Sequence, residues 1–111
     1  MEILYQSRQL QKICISEKEM VRKLGQRMAD VLKRRLTELE GALSLEDMRF
    51  LPAARCHELA QTRKGQLAVD LVHPKRLVFK PDHDPLPRKE DGGLDWTQVT
   101  RILVMEIVDY H

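Results

Sequence analysis

The sequence has few of the residues that build covalent or metal-held scaffolds. Its two cysteines, Cys14 and Cys56, form neither a disulfide framework nor a CxxC pair. The histidines and cysteines do not show the spacing of a zinc site, and no glycine-rich phosphate loop precedes a helix. These absences favour a protein without a metal site, a cofactor or an oxidised thiol pair.

Long apolar runs are also missing. The longest ones are far too short to span a bilayer, and the first residues, MEILYQSRQLQK, lack the apolar segment of a signal peptide. Hydrophobic residues make up 42% of the 111 residues and charged residues 32%, which is ordinary for a soluble globular protein. We therefore expect residues 1–111 to form one compact domain in the cytoplasm, with no membrane partner.

Charges nearly balance over the whole chain, with a net charge of +2, but they are segregated along it. Residues 49–80 hold seven bases and two acids, whereas residues 81–111 hold three bases and seven acids. A basic middle segment fits a surface that faces phosphate groups. Ordinary solvated charge on helix and strand faces explains the same distribution equally well.

The first forty residues carry a helical pattern. Ser16 and Glu19 stand in the S-x-x-E relation of a capping box, which predicts a helix start. Gly25 either lies inside one long helix or ends a first helix at a turn. Apolar residues recur at helical spacing on one face: Met20, Val21, Leu24, Met28, Val31, Leu32, Leu36 and Leu39.

The second half of the chain changes to an alternating pattern. Residues 66–72 and 75–80 alternate apolar and polar side chains around a His-Pro pair, which predicts a β-hairpin. Three prolines and a Gly-Gly pair make residues 81–95 a loop, and a last strand is expected at about residues 100–108. Helices followed by a β-meander indicate an α+β fold with helices packed on an antiparallel sheet.

Two sets of residues carry side chains suited to proton transfer. His57 lies in the basic segment just ahead of the hairpin, and Asp109, Tyr110 and His111 follow the last strand. Histidine and tyrosine transfer protons, and an aspartate can orient or tune a neighbour. A lone histidine is more often structural or merely exposed, and a polar strand tip is more often solvated. Cys56, beside His57, is either a nucleophile or, more commonly, a small buried apolar residue.

Two stretches combine these features. Residues 51–79 read LPAARCHELAQTRKGQLAVDLVHPKRLVF, which is a histidine-bearing segment, a strand and then an arginine-containing strand. Residues 105–111 read MEIVDYH. In their order and spacing these stretches, which together span residues 51–111 or about half of the chain, resemble the HigB branch of the RelE/ParE toxin superfamily.

This resemblance implies a RelE-like α+β fold, in which an N-terminal helical hairpin that turns near Gly25 packs on a small antiparallel-rich β-sheet. It also implies the toxin of a type II toxin–antitoxin system, an endoribonuclease that cleaves mRNA in the ribosomal A site. The expected partners are the ribosome, mRNA and a HigA-type helix-turn-helix antitoxin.

The same resemblance assigns roles to residues. His57 and His111 would share the proton transfers as a ribose 2′-OH attacks the adjacent phosphate, and the sequence leaves their order open. Asp109 would position or tune a histidine, Tyr110 would contact the substrate and Arg76 would stabilise the developing charge. The basic residues expected to bind RNA are Arg55, Arg63, Lys64, Lys75 and Lys80.

The sequence departs from the HigB pattern in three places. Ala60 stands where catalytic members often have a lysine, and Leu67 stands where many have an aromatic residue. Residues 81–100 form a longer, more acidic connection, which is either an antitoxin-docking loop or a surface insertion. Two other functions on this fold stay open: an inactive interaction protein of the killer suppression type, and a ParE-like gyrase inhibitor. The terminal acid–base residues count against the gyrase inhibitor.

Overall fold

The computed structural model describes residues 1–109, so Tyr110 and His111 lie outside the described residues. The regular elements are β1 (Glu2–Tyr5), α1 (Arg8–Ile15), α2 (Glu17–Leu24), α3 (Gln26–Gly41), β2 (His57–Glu58), β3 (Leu67–Asp70), β4 (Lys75–Pro81) and β5 (Arg101–Asp109). Short 3₁₀ turns lie at Leu45–Phe50, Pro52–Ala54, Gln61–Arg63 and Trp96–Gln98. The expected α+β fold is confirmed, with the strand β1 ahead of the helices and the meander after them.

One five-stranded sheet has the order β1-β5-β4-β3-β2. The strand β1 pairs parallel to β5, and every other neighbouring pair is antiparallel. The predicted hairpin is β3 and β4, and Asp70 lies opposite Arg76 at its closed end. The two residues of β2, which the alternating pattern did not predict as a strand, add His57 to the sheet edge opposite Ala68.

Two residues divide the N-terminal helical region. Ser16 ends α1 with its backbone N–H and begins α2 with its hydroxyl, which accepts a hydrogen bond from the Glu19 N–H. The Glu19 carboxylate therefore has no Ser16 N–H to bind and pairs with Arg22 instead. Gly25 separates α2 from α3 with a φ of +83°, a conformation that glycine adopts without strain. The predicted turn at Gly25 is present, and a third helix, α1, precedes the two of the expected hairpin.

The main core lies between the helices and one face of the sheet. Leu32 and Leu39 of α3 share it with Leu77 and Phe79 of β4, and all four side chains are fully buried. The opposite sheet face carries a smaller apolar cluster, which consists of Leu59, Ala68 and Val78 with Val108 packed against them. The candidate site residues lie around this second face.

A β-bulge in β5 sets which side chains reach each face. Val78 pairs with Glu106 and Phe79 pairs with Val104, so Met105 is one extra residue on β5. Because of this extra residue, Val104 and Ile107 both belong to the helix side, while Glu106 and Val108 face the other way. The strand register therefore places Asp109, opposite Lys75, on the helix side of the sheet.

Arg35 of α3 is the one buried charged side chain within residues 1–109, with 5% of its surface exposed. Its Nε donates to the backbone carbonyl of Asp70 at 2.8 Å and its Nη2 to that of Ala53 at 3.1 Å. Its Nη1 pairs with Glu38 one helical turn away. The guanidinium thus connects α3 to the end of β3 and to the turn before β2.

Within residues 1–109, no helix is long and apolar enough to cross a membrane.

We expect Arg35→Met to lower the free energy of unfolding by about 3 kcal/mol. The substitution removes the buried donor that serves the Glu38 carboxylate and two backbone carbonyls. Urea unfolding followed by circular dichroism measures this loss. Arg34→Met is the matched control, since Arg34 is the preceding residue of α3 and is exposed, and it should change stability by less than about 0.5 kcal/mol. Equal losses in the two variants would contradict the bracing role of Arg35.

Candidate active site

Four side chains meet on the sheet face opposite the helices, and we call them the His57 cluster: Arg55, His57, Asp70 and Arg76. The Nη1 of Arg76 lies 3.5 Å from the Nε2 of His57. The Nε of Arg76 lies 3.3 Å from Asp70 Oδ1, and the Nε of Arg55 lies 3.0 Å from Asp70 Oδ2. The structure thus brings together three of the residues predicted from sequence, and it adds Asp70.

The backbone of Arg55 fixes the ring of His57. His57 Nδ1 lies 2.7 Å from the carbonyl oxygen of Arg55. A carbonyl only accepts hydrogen bonds, so Nδ1 carries the proton and the neutral ring has its lone pair on Nε2. Arg55 reaches this geometry in the left-handed region, with φ +46° and ψ +49°. This conformation is strained for a residue with a Cβ, and such strain is found most often at functional sites.

The charges of the cluster favour an anion. Two guanidiniums surround one carboxylate, which leaves an excess of positive charge. A cavity of about 150 Å³ opens beside them, and its lining includes His73 and Lys75. Because a water occupies about 30 Å³, this cavity has room for a group of a few heavy atoms, such as a phosphate. Its lining includes Arg55, Asp70 and Arg76 but not His57, so the arrangement can bind a phosphate at the two guanidiniums.

Asp109 lies apart from the His57 cluster. The Lys75 ammonium is 2.6 Å from the Asp109 carboxylate, and the register puts this pair on the helix side of the sheet. The structure therefore does not bring Asp109 to His57. The predicted roles of Tyr110 and His111 fall outside the described residues.

The other predicted RNA-binding residues divide into two groups. Arg63 donates to Glu106 across the sheet face and also to Gln66, so its charge is balanced by a neighbour. Lys64 and Lys80 are exposed. Ala60, at the position where the HigB pattern has a lysine, is exposed as well, just after β2.

The long connection between β4 and β5 is anchored to the strand that carries His57. The indole N–H of Trp96 donates to Glu58 at 3.0 Å, and the guanidinium of Arg49 stacks 3.8 Å from the centre of the indole ring. Trp96 and Val99 are buried in the main core. The end of this connection is thus part of the core, while residues 84–93 are half-buried or exposed.

The two thiols are poorly suited to nucleophilic chemistry. Burial raises the pKa of Cys56 to about 12 and the pKa of Cys14 to about 11. For Cys56, nearby Arg49 acts weakly in the opposite direction. A thiol attacks as the thiolate, so both groups are unreactive near neutral pH. Within residues 1–109 there is also no group of three or more side chains that could hold a metal ion.

We expect both thiols to react with iodoacetamide at pH 8 at least about 100-fold more slowly than free cysteine. Raising a pKa to 11 or 12 reduces the thiolate at pH 8 to about one thiol in a thousand or fewer. Mass spectrometry of timed samples measures the rate, and unfolding in urea should restore it. Fast labelling of Cys56 in the folded protein would return it to the candidate nucleophiles.

No family model matches the chain, and no curated protein matches its sequence. Solved structures do match. A YoeB/ParE toxin from Agrobacterium tumefaciens has a TM-score of 0.53 and 10% identity, with 100% of both chains covered. A YoeB-YefM complex from Staphylococcus aureus has a TM-score of 0.55 and 13% identity, with 100% of this chain and 97% of that chain covered. The chain therefore has the fold of the YoeB/ParE toxins, as the expected RelE-like architecture required.

Proposed function

We propose that this chain is the toxin of a type II toxin–antitoxin system and that it cleaves mRNA on the ribosome. The observation that carries the proposal is the ring of His57, which is held by a backbone carbonyl so that its unprotonated nitrogen faces the guanidinium of Arg76. The fold similarity to the YoeB/ParE toxins supports the toxin role. The resemblance of residues 51–79 and 105–111 to the HigB pattern supports the finer assignment.

In the proposed reaction a ribose 2′-OH attacks the adjacent phosphate. The bond from 2′-oxygen to phosphorus forms and the bond to the 5′-oxygen breaks, which yields a 2′,3′-cyclic phosphate and a 5′-hydroxyl. His57 takes the 2′ proton at Nε2, because Nδ1 is already protonated and bound to the Arg55 carbonyl. The proposal thus makes His57 the base and His111 the acid, an order that the sequence left open.

Arg76 and Arg55 provide positive charge for the transition state. The phosphorane gains negative charge on its oxygens, and fixed cations lower its energy most when they are oriented in advance. Arg76 is well placed for this role, since 17% of its side chain is exposed and it lies beside the proton acceptor. These two guanidiniums compensate for Ala60, which lacks the charge of the usual lysine. Exposed Lys64 and Lys80 would contact the RNA backbone.

The proton for the leaving 5′-oxygen comes, in this proposal, from His111, with Tyr110 in contact with the substrate. Asp109 acts at a distance from the reacting atoms. Its ion pair with Lys75 fastens the end of β5 to β4 immediately before the two terminal residues. Asp109 is therefore a positioning residue in this clamp. Lys75 also lines the cavity beside Arg55 and Arg76, so it keeps its proposed role in RNA binding.

The remaining partner is an antitoxin. The Staphylococcus aureus neighbour is a YoeB-YefM complex, and a corresponding partner is proposed here, of the HigA helix-turn-helix type that the sequence resemblance implies. Ribosome, mRNA and antitoxin would all be met in the cytoplasm.

We expect His57→Ala to lower the rate of mRNA cleavage on purified, programmed ribosomes by about 10²- to 10⁴-fold, which is the usual contribution of a general base. His83→Ala is the control, because His83 lies beyond the other end of β4 and accepts a backbone hydrogen bond from Thr100. Primer extension on the mRNA measures both rates. Cleavage by His57→Ala at the wild-type rate would remove His57 from the mechanism.

A second expectation concerns the end of the chain. Deleting Tyr110 and His111 while keeping Asp109 should abolish growth arrest after induced expression, with the melting temperature unchanged because the Lys75–Asp109 pair remains. Growth curves and thermal unfolding check the two parts. Growth arrest that persists in the truncated protein, with intact mRNA and altered plasmid supercoiling, would favour the gyrase inhibitor instead.

A further inference from the structure

We propose that Asp70 is a positioning residue, which orients the guanidiniums of Arg55 and Arg76 toward His57 and the scissile phosphate. The inference rests on the proposed function, and it adds a residue that the sequence patterns did not single out. Asp70 ends β3 and lies directly opposite Arg76 on β4. One carboxylate therefore lies between the two cations that the mechanism requires.

Both arginines present the same atom to Asp70. Arg55 Nε is 3.0 Å from Oδ2, and Arg76 Nε is 3.3 Å from Oδ1. A guanidinium that uses its Nε in this way has its two terminal nitrogens directed elsewhere. In Arg76 one of these, Nη1, lies 3.5 Å from the proton-accepting nitrogen of His57. Asp70 thus determines which edge of each guanidinium faces the site.

The backbone of Asp70 is fixed by a buried side chain. The backbone carbonyl of Asp70 accepts the 2.8 Å hydrogen bond from Arg35 Nε, and the same guanidinium holds the carbonyl of Ala53, two residues before Arg55. Asp70 and the turn that bears Arg55 are therefore fixed to one buried group. The backbone of Asp70 is thus fixed, and its carboxylate can orient the exposed Arg55 side chain and the half-buried Arg76 side chain.

The unfavourable burial of the Asp70 carboxylate indicates a functional role. Its Oδ1 is buried and, among the described residues, has no aligned hydrogen bond, although Arg76 Nε is within ion-pair distance. A buried carboxylate oxygen without such a bond is unfavourable. A negative charge also weakens RNA binding by the surrounding bases. In spite of these two penalties the carboxylate lies between the guanidiniums of Arg55 and Arg76, where it can orient both.

Asp70→Asn tests the proposal, since it keeps the shape and removes the charge. We expect kcat for mRNA cleavage on ribosomes to fall at least tenfold, while KM and the Kd for an uncleavable RNA with one 2′-deoxy nucleotide stay the same or decrease. Asp82→Asn is the matched control, because Asp82 also pairs with an arginine Nε at 3.0 Å, that of Arg101, beyond the far end of β4. It should stay within twofold of wild type.

Two measurements separate this proposal from the proposed function. Nuclear magnetic resonance of the arginine Nε–H groups should detect increased motion of Arg55 and Arg76 in Asp70→Asn, with the melting temperature retained. Unchanged motion, an unchanged kcat, or a parallel loss of kcat and RNA affinity would overturn the positioning role. If the wild type itself fails to cleave mRNA, the proposed function fails, and the Nε–H measurement still decides whether Asp70 orients the arginines.

Discussion

The buried guanidinium of Arg35 is the constraint on which the candidate site depends. A charge in the interior is tolerated only when its donors are satisfied, and Arg35 uses Glu38 and the carbonyls of Asp70 and Ala53 for this purpose. These two carbonyls belong to the two segments that carry the site, the end of β3 and the turn before β2. The requirement to satisfy one buried cation therefore fixes the relative position of α3, β3 and the turn that leads to Arg55.

These contacts of Arg35 support the His57 cluster, which is organised before any substrate binds. The backbone carbonyl of Arg55 orients the ring of His57, and Asp70 forms ion pairs with the Nε atoms of Arg55 and Arg76. Preorganised charge is effective in catalysis because it need not reorient as the transition state forms. The Lys75–Asp109 clamp acts on the other sheet face, where it holds the strand that leads to the terminal residues.

Local patterns in the sequence were sufficient for much of this fold. The alternation of apolar and polar residues predicted the β3–β4 hairpin. The sequence placed Gly25 either inside one long helix or at a turn, and its positive φ in the structure shows the turn. Properties that depend on register were not predictable. The extra Met105 in β5 changes which residues face the helices, and the role of Asp70 follows from its pairing with Arg76. Arg35 lies in an amphipathic helix like any solvated arginine, so only the tertiary contacts reveal that it is buried.

The central claim is that the His57 cluster activates a ribose 2′-OH for attack on the adjacent phosphate. The most direct test uses ribosomes programmed with two mRNAs that differ only by a 2′-deoxy substitution at the scissile nucleotide. We expect the all-ribose mRNA to be cut into fragments with a 2′,3′-cyclic phosphate and a 5′-hydroxyl, and the substituted mRNA to stay intact at that position. Cleavage of the substituted mRNA at the same rate, or no cleavage of either, would contradict the account.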